Sequence, residues 1–298
     1  MGSFLERLDD VSALCGTVEK AIGPGAFDAY RFCDDFGEEH KRYEVFQIVH
    51  PRGLFVLKRF ENPKRFEAEK TIYERFTADL PVPRTLGFFD GCIVSEFIPG
   101  SDLKEMTDNG VIAAATSVAE IMNAFPLGQD YDRSVCEKEI AYRETRLACL
   151  KSEPTLHEAY TLFLERVKEM PLTLANGDFV PINCIYNGER VYLIDWEYGG
   201  FMPYALDIGR FLAHSGERPV DTYRMTEQQK ARFVDLLYEK LNEKPEKSVF
   251  DRDVKLAILD EWIMVLRFYL EDPNSLRDTS FHMYYEQANA LAKELLVQ

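Results

Sequence analysis

The sequence holds little that would bind zinc, cross a membrane or grip a polyanion. Its six cysteines, Cys15, Cys33, Cys92, Cys136, Cys149 and Cys184, are scattered singly, with no CxxC pair and no Cys/His cluster. That pattern excludes a zinc module and suits reduced thiols in a cytoplasmic protein. No apolar run approaches the roughly 18 residues of a spanning helix, and MGSFLERLDD lacks the apolar core of a secretory leader. Glu6 stands where N-myristoylation wants Ser or Thr. Internal repeats and low-complexity tracts are missing as well. Positive charge is in deficit, with 35 Lys and Arg against 51 Asp and Glu and a net charge of −16. An acidic surface disfavours nucleic acid and anionic membrane as partners. It suits a polycationic small substrate, and it equally serves solubility.

What is present is the apolar content of an ordinary globular protein: 298 residues, 46% hydrophobic and 29% charged. One or two domains with a sizeable core are expected. The informative stretch is Leu172 to Glu197, LTLANGDFVPINCIYNGERVYLIDWE. Leu172, Leu174, Cys184, Ile185, Tyr186, Val191, Leu193 and Ile194 have the composition of short buried strands. Asn187-Gly188 reads as a two-residue hairpin turn, which needs positive φ at both positions. Such a turn sets Tyr186 opposite Glu189 and Cys184 opposite Val191. Asp195 then emerges level with the loop holding Asp178 and Asn183. Two carboxylates and an amide at one sheet end are the oxygen donors that Mg²⁺ takes beside substrate phosphates. One carboxylate is left over to receive a proton from an attacking hydroxyl, the arrangement of kinase-type phosphoryl transfer.

Asn176-Gly177-Asp178-Phe179-Val180-Pro181-Ile182-Asn183, followed by Ile194-Asp195-Trp196-Glu197, resembles the aminoglycoside phosphotransferase and choline kinase family. Asn176 departs from it, standing where that family usually has His. The resemblance implies an α+β, two-lobed, protein-kinase-like fold: an N-lobe of antiparallel sheet plus helix over residues 1–98, and a mainly helical C-lobe over 99–298. It implies ATP and Mg²⁺ as cofactors, with Asp178 as catalytic base, Asn183 and Asp195 as metal ligands, and Asn176 as a backbone organiser. Glu197 has two roles open to it, a water-mediated metal contact or a local salt bridge. Asp207, which opens a helix at Asp207-Ile208-Gly209-Arg210-Phe211, matches the aspartate that braces the catalytic loop.

Along the chain, Leu5, Leu8, Val11, Leu14, Val18 and Ile22 recur at helical spacing, so a helix is expected over Phe4 to Ile22. Strand-like runs follow at Phe27–Cys33, Arg42–Val49 and Leu54–Phe60, an antiparallel meander. Lys58 lies on the third. A helix over Pro63–Phe76 carries Glu67 and Glu69, and the resemblance pairs Lys58 with a glutamate there, Glu69 first and Glu67 second. No GxGxxG loop covers the phosphates; Asp34 to His40, with Gly37 at its tip, is the segment in that place. A hairpin over Phe88–Val94 leads into Ser95-Glu96-Phe97-Ile98-Pro99-Gly100, which resembles the hinge where the Ser95 carbonyl and Phe97 N–H read the adenine edge.

Helices are expected over Val111–Phe125, Cys136–Leu150, Thr155–Met170, Thr226–Leu241, Phe250–Leu270 and Phe281–Leu296, with Asp102 a cap for the first. The late helices build the acceptor pocket in the family, which points to Asp260, Glu261 and Trp262; Trp262 also fits a core position beside Leu259 and Leu266. The expected activity is phosphorylation of a hydroxyl on a small molecule. An aminoglycoside-type or other cationic antibiotic comes first as acceptor, and choline, ethanolamine or a sugar second. A nucleotide-binding pseudokinase and a metal-dependent phosphohydrolase are the competing classes. The partners expected are nucleotide and acceptor, without nucleic acid or membrane.

Overall fold

Local sequence and long-range pairing compete at the N-terminus, and pairing wins. In the computed structural model, which describes residues 3–35, 40–218, 221–272 and 278–297, strand β1 (Ser3–Arg7) pairs antiparallel with β2 (Asp28–Asp35). The helix expected from Phe4 begins only at Ser12: α1 (Ser12–Ile22) buries Leu14, Val18 and Ile22. The Asp10 carboxylate accepts the Ser12 N–H at 2.8 Å, which marks the helix start. Helical spacing before that point is overridden because β2 supplies backbone partners.

β3 (His40–His50) and β4 (Gly53–Arg59) continue the meander. Helix α2 (Pro63–Phe76) opens on Asn62, whose side chain accepts the Lys64 N–H at 2.9 Å, with Pro63 in the first turn. β5 (Thr85–Phe89) and β6 (Cys92–Glu96) form a hairpin whose Asp90 and Gly91 both have positive φ, 51° and 77°, as a primed turn requires. The six strands run in the order β1-β2-β3-β4-β6-β5. Leu14, Val18 and Ile22 of α1 pack with Phe46, Ile48, Leu57 and Val94 of the sheet, each burial contributing about 2 kcal/mol. The tip of the expected phosphate-covering segment, Phe36 to Glu39, lies outside the described residues.

The chain divides into two compact units, Met1–Gly100 with Trp196–Tyr198, and Ser101–Asp195 with Gly199–Gln298. The second unit begins with α3 (Asp108–Ala124), capped by Thr107, whose hydroxyl accepts the Gly110 N–H at 3.0 Å. Asp102 does not cap it; its carboxylate accepts the Lys104 N–H instead. α4 (Ser134–Glu144) tightens into a 3₁₀ segment over Thr145–Leu150, where one continuous helix was expected. α5 (Pro154–Glu169) leads into β7 (Leu172–Ala175), β8 (Cys184–Tyr186), β9 (Val191–Leu193) and β10 (Gly200–Pro203). Then come α6 (Ala205–Ala213), the short parallel pair β11 (Ser215–Gly216) and β12 (Tyr223–Arg224), α7 (Glu227–Lys240), α8 (Lys247–Glu271) and α9 (Thr279–Val297). Thr226 and Gln229 close a reciprocal capping box on α7. Among the described residues no helix is long and apolar enough to cross a membrane.

Helix α8 buries three acids, Asp253, Asp260 and Glu261, and each is matched. Arg166 meets Asp253 through Nε and Nη2, both at 2.7 Å, and the Tyr204 hydroxyl donates to it at 2.8 Å. A buried charge without such partners would cost several kcal/mol.

Candidate active site

Four short strands carry the site in the second unit. β7 is buried along its whole length and pairs antiparallel with β10, so the chain leaves β7 at Ala175 with its next residues fixed in position. β8 and β9 pair with Tyr186 opposite Val191 and Cys184 opposite Leu193. The connection is therefore four residues, Asn187 to Arg190, instead of the expected two. The Asn187 side chain accepts the N–H groups of Glu189 (3.0 Å) and Arg190 (2.9 Å), an Asx turn that outcompetes the tighter one. Each partner moves by two residues, so every side chain keeps its face, and Asp195 still leaves the sheet beside Asn183. The Ile194 N–H donates to the Asn183 carbonyl at 3.0 Å. Asp195 itself holds φ at 62°, a left-handed conformation that Asp tolerates better than most residues and that turns the chain sharply at the strand end.

The loop after β7 is held by its backbone. Asp207, near the start of α6, accepts the N–H of Asn176 at 2.6 Å on one carboxylate oxygen and that of Gly177 at 3.0 Å on the other. Burial pushes the Asp207 carboxyl up to about 6, although both N–H donors pull the other way. Asn176 is itself buried, at 1% exposure, and its amide ties the two halves of the site. Its Nδ2 donates to the carbonyls of Ile194 (3.2 Å) and Asp195 (3.3 Å), and its Oδ1 accepts the Asp178 N–H (3.1 Å). An asparagine supplies both a donor and an acceptor, which is what this position uses. Gly177 has φ +79°, the left-handed region natural to glycine.

Asp178 and Asn183 face each other across the loop. The Asn183 Nδ2 donates to the Asp178 Oδ2 at 3.1 Å and to its carbonyl at 2.9 Å. With its nitrogen so engaged, Asn183 turns its amide oxygen the opposite way. That oxygen and the Asp195 carboxylate are hard oxygen donors from chain segments joined by a backbone hydrogen bond, the chemistry a divalent Mg²⁺ accepts. Asp178 Oδ1 accepts from Arg210 through both Nε (2.8 Å) and Nη2 (2.5 Å). Arg210 in turn donates to Glu261 Oε2 at 2.9 Å, and His214 Nε2 lies 3.3 Å from the same oxygen. Burial alone would raise the Glu261 carboxyl, but the His214 contact and the Arg210 charge outweigh it and bring it down to about 2. Burial likewise opposes the charge on Arg210, yet Glu261 and Asp178 together hold it more firmly protonated than usual. Burial and the Asp178 charge push the Tyr223 phenol up to about 12.

In the first unit, Lys58 Nζ meets Glu69 Oε2 at 2.6 Å. Glu69 is 2% exposed, while Glu67 lies on the outer side of α2, 3.7 Å from Lys70. Glu69 is thus the lysine's partner. Glu197 belongs to this unit and pairs with Arg65 at 3.0 Å; its carboxylate lies within 4.8 Å of that of Glu69. Ser95 sits in β6 between β4 and β5. The Phe97 N–H is committed to the Leu54 carbonyl at 3.2 Å, so in this structure it is not presented to an adenine edge.

The late-helix residues differ most from expectation. Asp260 is fully buried and accepts from Arg143 Nε (2.8 Å), Arg146 Nη1 (2.5 Å) and the Tyr160 hydroxyl (2.8 Å). It serves the interior of the second unit and offers no carboxylate to an acceptor. Glu261 stands behind Arg210. Trp262 donates from Nε1 to the Ala213 carbonyl at 2.8 Å, a packing position on α6. Arg210 and His214 are the residues that sequence reading passed over. Arg210 follows Asp207 by three positions on a helix, so once Asp207 faces the loop Arg210 shares that face. Cavities of about 470 and 490 Å³ lie elsewhere in the second unit, one against Met106 and Arg224, the other against Thr116 and Arg190.

Comparison with known proteins decides the family. The model of the phosphotransferase enzyme family matches residues 41–241, the span from β3 to just past α7. The chain belongs to the phosphotransferase enzyme family. Solved structures share the fold at low identity. A choline kinase from Streptococcus pneumoniae aligns with TM-score 0.62 at 13% identity, over 95% of this chain and 98% of that one. A macrolide 2′-phosphotransferase from Brachybacterium faecium aligns with TM-score 0.59 at 16% identity, over 95% and 98%. A thermostable aminoglycoside phosphotransferase mutant, solved with AMP-PNP and hygromycin B, aligns with TM-score 0.56 at 17% identity, over 96% and 98%. No curated protein sequence matches the chain significantly. This phosphotransferase thus has a mixed fold with an antiparallel N-terminal sheet and a helical C-terminal part, as the resemblance implied.

Proposed function

We propose that this phosphotransferase moves the γ-phosphoryl group of ATP to a hydroxyl of a small cationic molecule. The observation that carries the reading is the Asp178–Asn183 pair, on a loop whose backbone N–H groups are bound by the half-buried Asp207. Asp178 orients the acceptor hydroxyl and takes its proton. Asn183 and Asp195 would hold Mg²⁺, which when bound neutralises charge on the nucleotide phosphates. Lys58, paired with Glu69 in the first unit, would offer a point charge to nucleotide phosphate. Most of the acceleration then comes from positioning and electrostatics, since phosphoryl transfer asks for little covalent work from the protein.

The net charge of −16 favours a cationic acceptor, an aminoglycoside-type antibiotic first. A choline- or ethanolamine-like amino alcohol is the second reading, favoured by a choline kinase among the proteins of this fold. The test is ADP release from MgATP against aminoglycosides, macrolides, choline, ethanolamine and simple sugars, with Asp178→Ala as control. One acceptor class should give turnover, and Asp178→Ala should lose at least about 100-fold of it while still binding MgATP. Near-normal turnover in Asp178→Ala would remove the base assignment. Nucleotide binding indifferent to Mg²⁺, with no turnover, would favour a pseudokinase. Phosphate release without acceptor would favour a hydrolase.

A further inference from the structure

We propose that Arg210 is a positioning residue for the transfer step, a guanidinium clamp that leaves Asp178 one working oxygen. What Asp178 does rests on the kinase reading; how it is held rests on the geometry. Each carboxylate oxygen offers two lone-pair directions. Oδ1 accepts two charge-assisted bonds, from Nε and Nη2 of Arg210, both on one side of it. On Oδ2 one is taken, by the Asn183 amide. Oδ2, held only by a neutral amide, is the less engaged oxygen, and that is where an acceptor hydroxyl can donate. The clamp selects which oxygen works and fixes the plane of the carboxylate about it.

The clamp is itself anchored. Arg210 Nη1 donates to Glu261 Oε2, whose side chain is 4% exposed, and His214 bridges the same oxygen to the Tyr284 hydroxyl through its other ring nitrogen at 3.2 Å. The chain Asp178–Arg210–Glu261–His214–Tyr284 thus runs from the loop through α6 and α8 to α9. A lysine could not serve, because one ammonium cannot hold two acceptors in the fixed fork of a guanidinium. Arg210 touches neither acceptor nor nucleotide in this account, so its loss should appear in the rate of transfer and not in nucleotide affinity.

The experiment compares wild type, Asp178→Ala, Arg210→Lys, Arg210→Ala and the double variant Arg210→Met/Glu261→Gln, which leaves no buried carboxylate without a counter-charge. Arg210→Ala and the double variant should lose roughly 10- to 100-fold in kcat, the scale of a 1 Å misplacement, with KM for MgATP within about twofold. Arg210→Lys should not restore it. Millimolar guanidinium should recover part of kcat in Arg210→Ala and none in Asp178→Ala. Hydrogen exchange supplies a readout independent of turnover: amides of 176–183 should exchange at least about tenfold faster in the double variant, with α7 unchanged. If wild type transfers phosphate and the double variant keeps its kcat, the clamp is wrong and the kinase reading stands. If wild type transfers to no acceptor, the kinase reading falls. Exchange then judges the clamp alone: faster loop exchange upholds it, and an unchanged loop overturns it.

Discussion

Asp207 accepts two backbone N–H groups at the turn into the loop that holds Asp178, yet burial raises its carboxyl from the ordinary 3.8 to about 6. The folded protein therefore holds this proton more tightly than the unfolded chain does. Stability from this group is full below 3.8, falls as pH rises between 3.8 and about 6, and is flat above. Urea denaturation from about pH 4 to 7 on wild type and Asp207→Asn checks the sign. Wild type should lose stability relative to the variant across that window, and a difference independent of pH would contradict the burial argument. Turnover should move the opposite way, rising as the carboxylate ionises and grips the loop. Asp207 was legible from its motif position. Arg210 was not, because nothing in a lone arginine says which carboxylate it will meet.

Helix α6 carries both Asp207 and Arg210 to the loop, and at Gly209 it packs directly against α8. A Cβ there would lie 2.5 Å from the Ala257 Cβ and 2.6 Å from its carbonyl carbon, so the constraint is steric. Gly209→Ala should cost about 1–3 kcal/mol of stability, as overpacking does, read as a lower urea midpoint. It should also lower kcat more than MgATP affinity, because α6 must back away from α8 and takes its two side chains with it. An unchanged midpoint would mean that the helices separate freely. Elements with their own punctuation were readable: α2 over Pro63–Phe76 and the start of α7 at the Thr226 capping box. β1 was not, since Phe4 and Leu5 fit a helical spacing until β2 claims their backbone. The β8–β9 turn was misread for a related reason. Asn187-Gly188 favours a tight turn locally, but the Asn187 side chain closes a wider one.

The whole molecule should respond to nucleotide by linkage. A ligand at about 100 times its Kd stabilises by about 2.7 kcal/mol, which is several degrees of Tm for units of this size. MgATP should therefore raise the unfolding temperature of wild type and of Asp178→Ala. It should raise that of Asp195→Ala far less, because Asp195 is assigned to the metal. Equal shifts in all three proteins would take Asp195 out of the nucleotide site. Removing Mg²⁺ with a chelator should reduce the wild-type shift toward that of Asp195→Ala.

By itself the sequence determined the set proposed for the chemistry, Asp178, Asn183 and Asp195 at their spacings, because the hard-cation and proton-transfer roles proposed for them tolerate few residue types. It also determined most helices and the antiparallel N-terminal sheet, since apolar periodicity and turn residues act locally. Only the tertiary structure decided that Glu69 and not Glu67 meets Lys58, and that Phe97 spends its N–H on Leu54. It alone showed that Asp260 is sealed among arginines and that Arg210 holds the proposed base. Those outcomes depend on which faces of distant elements are pressed together and how much water is expelled between them. Burial turns a carboxylate from a surface charge into one that must find a counter-charge, and the identity of that partner is a property of packing.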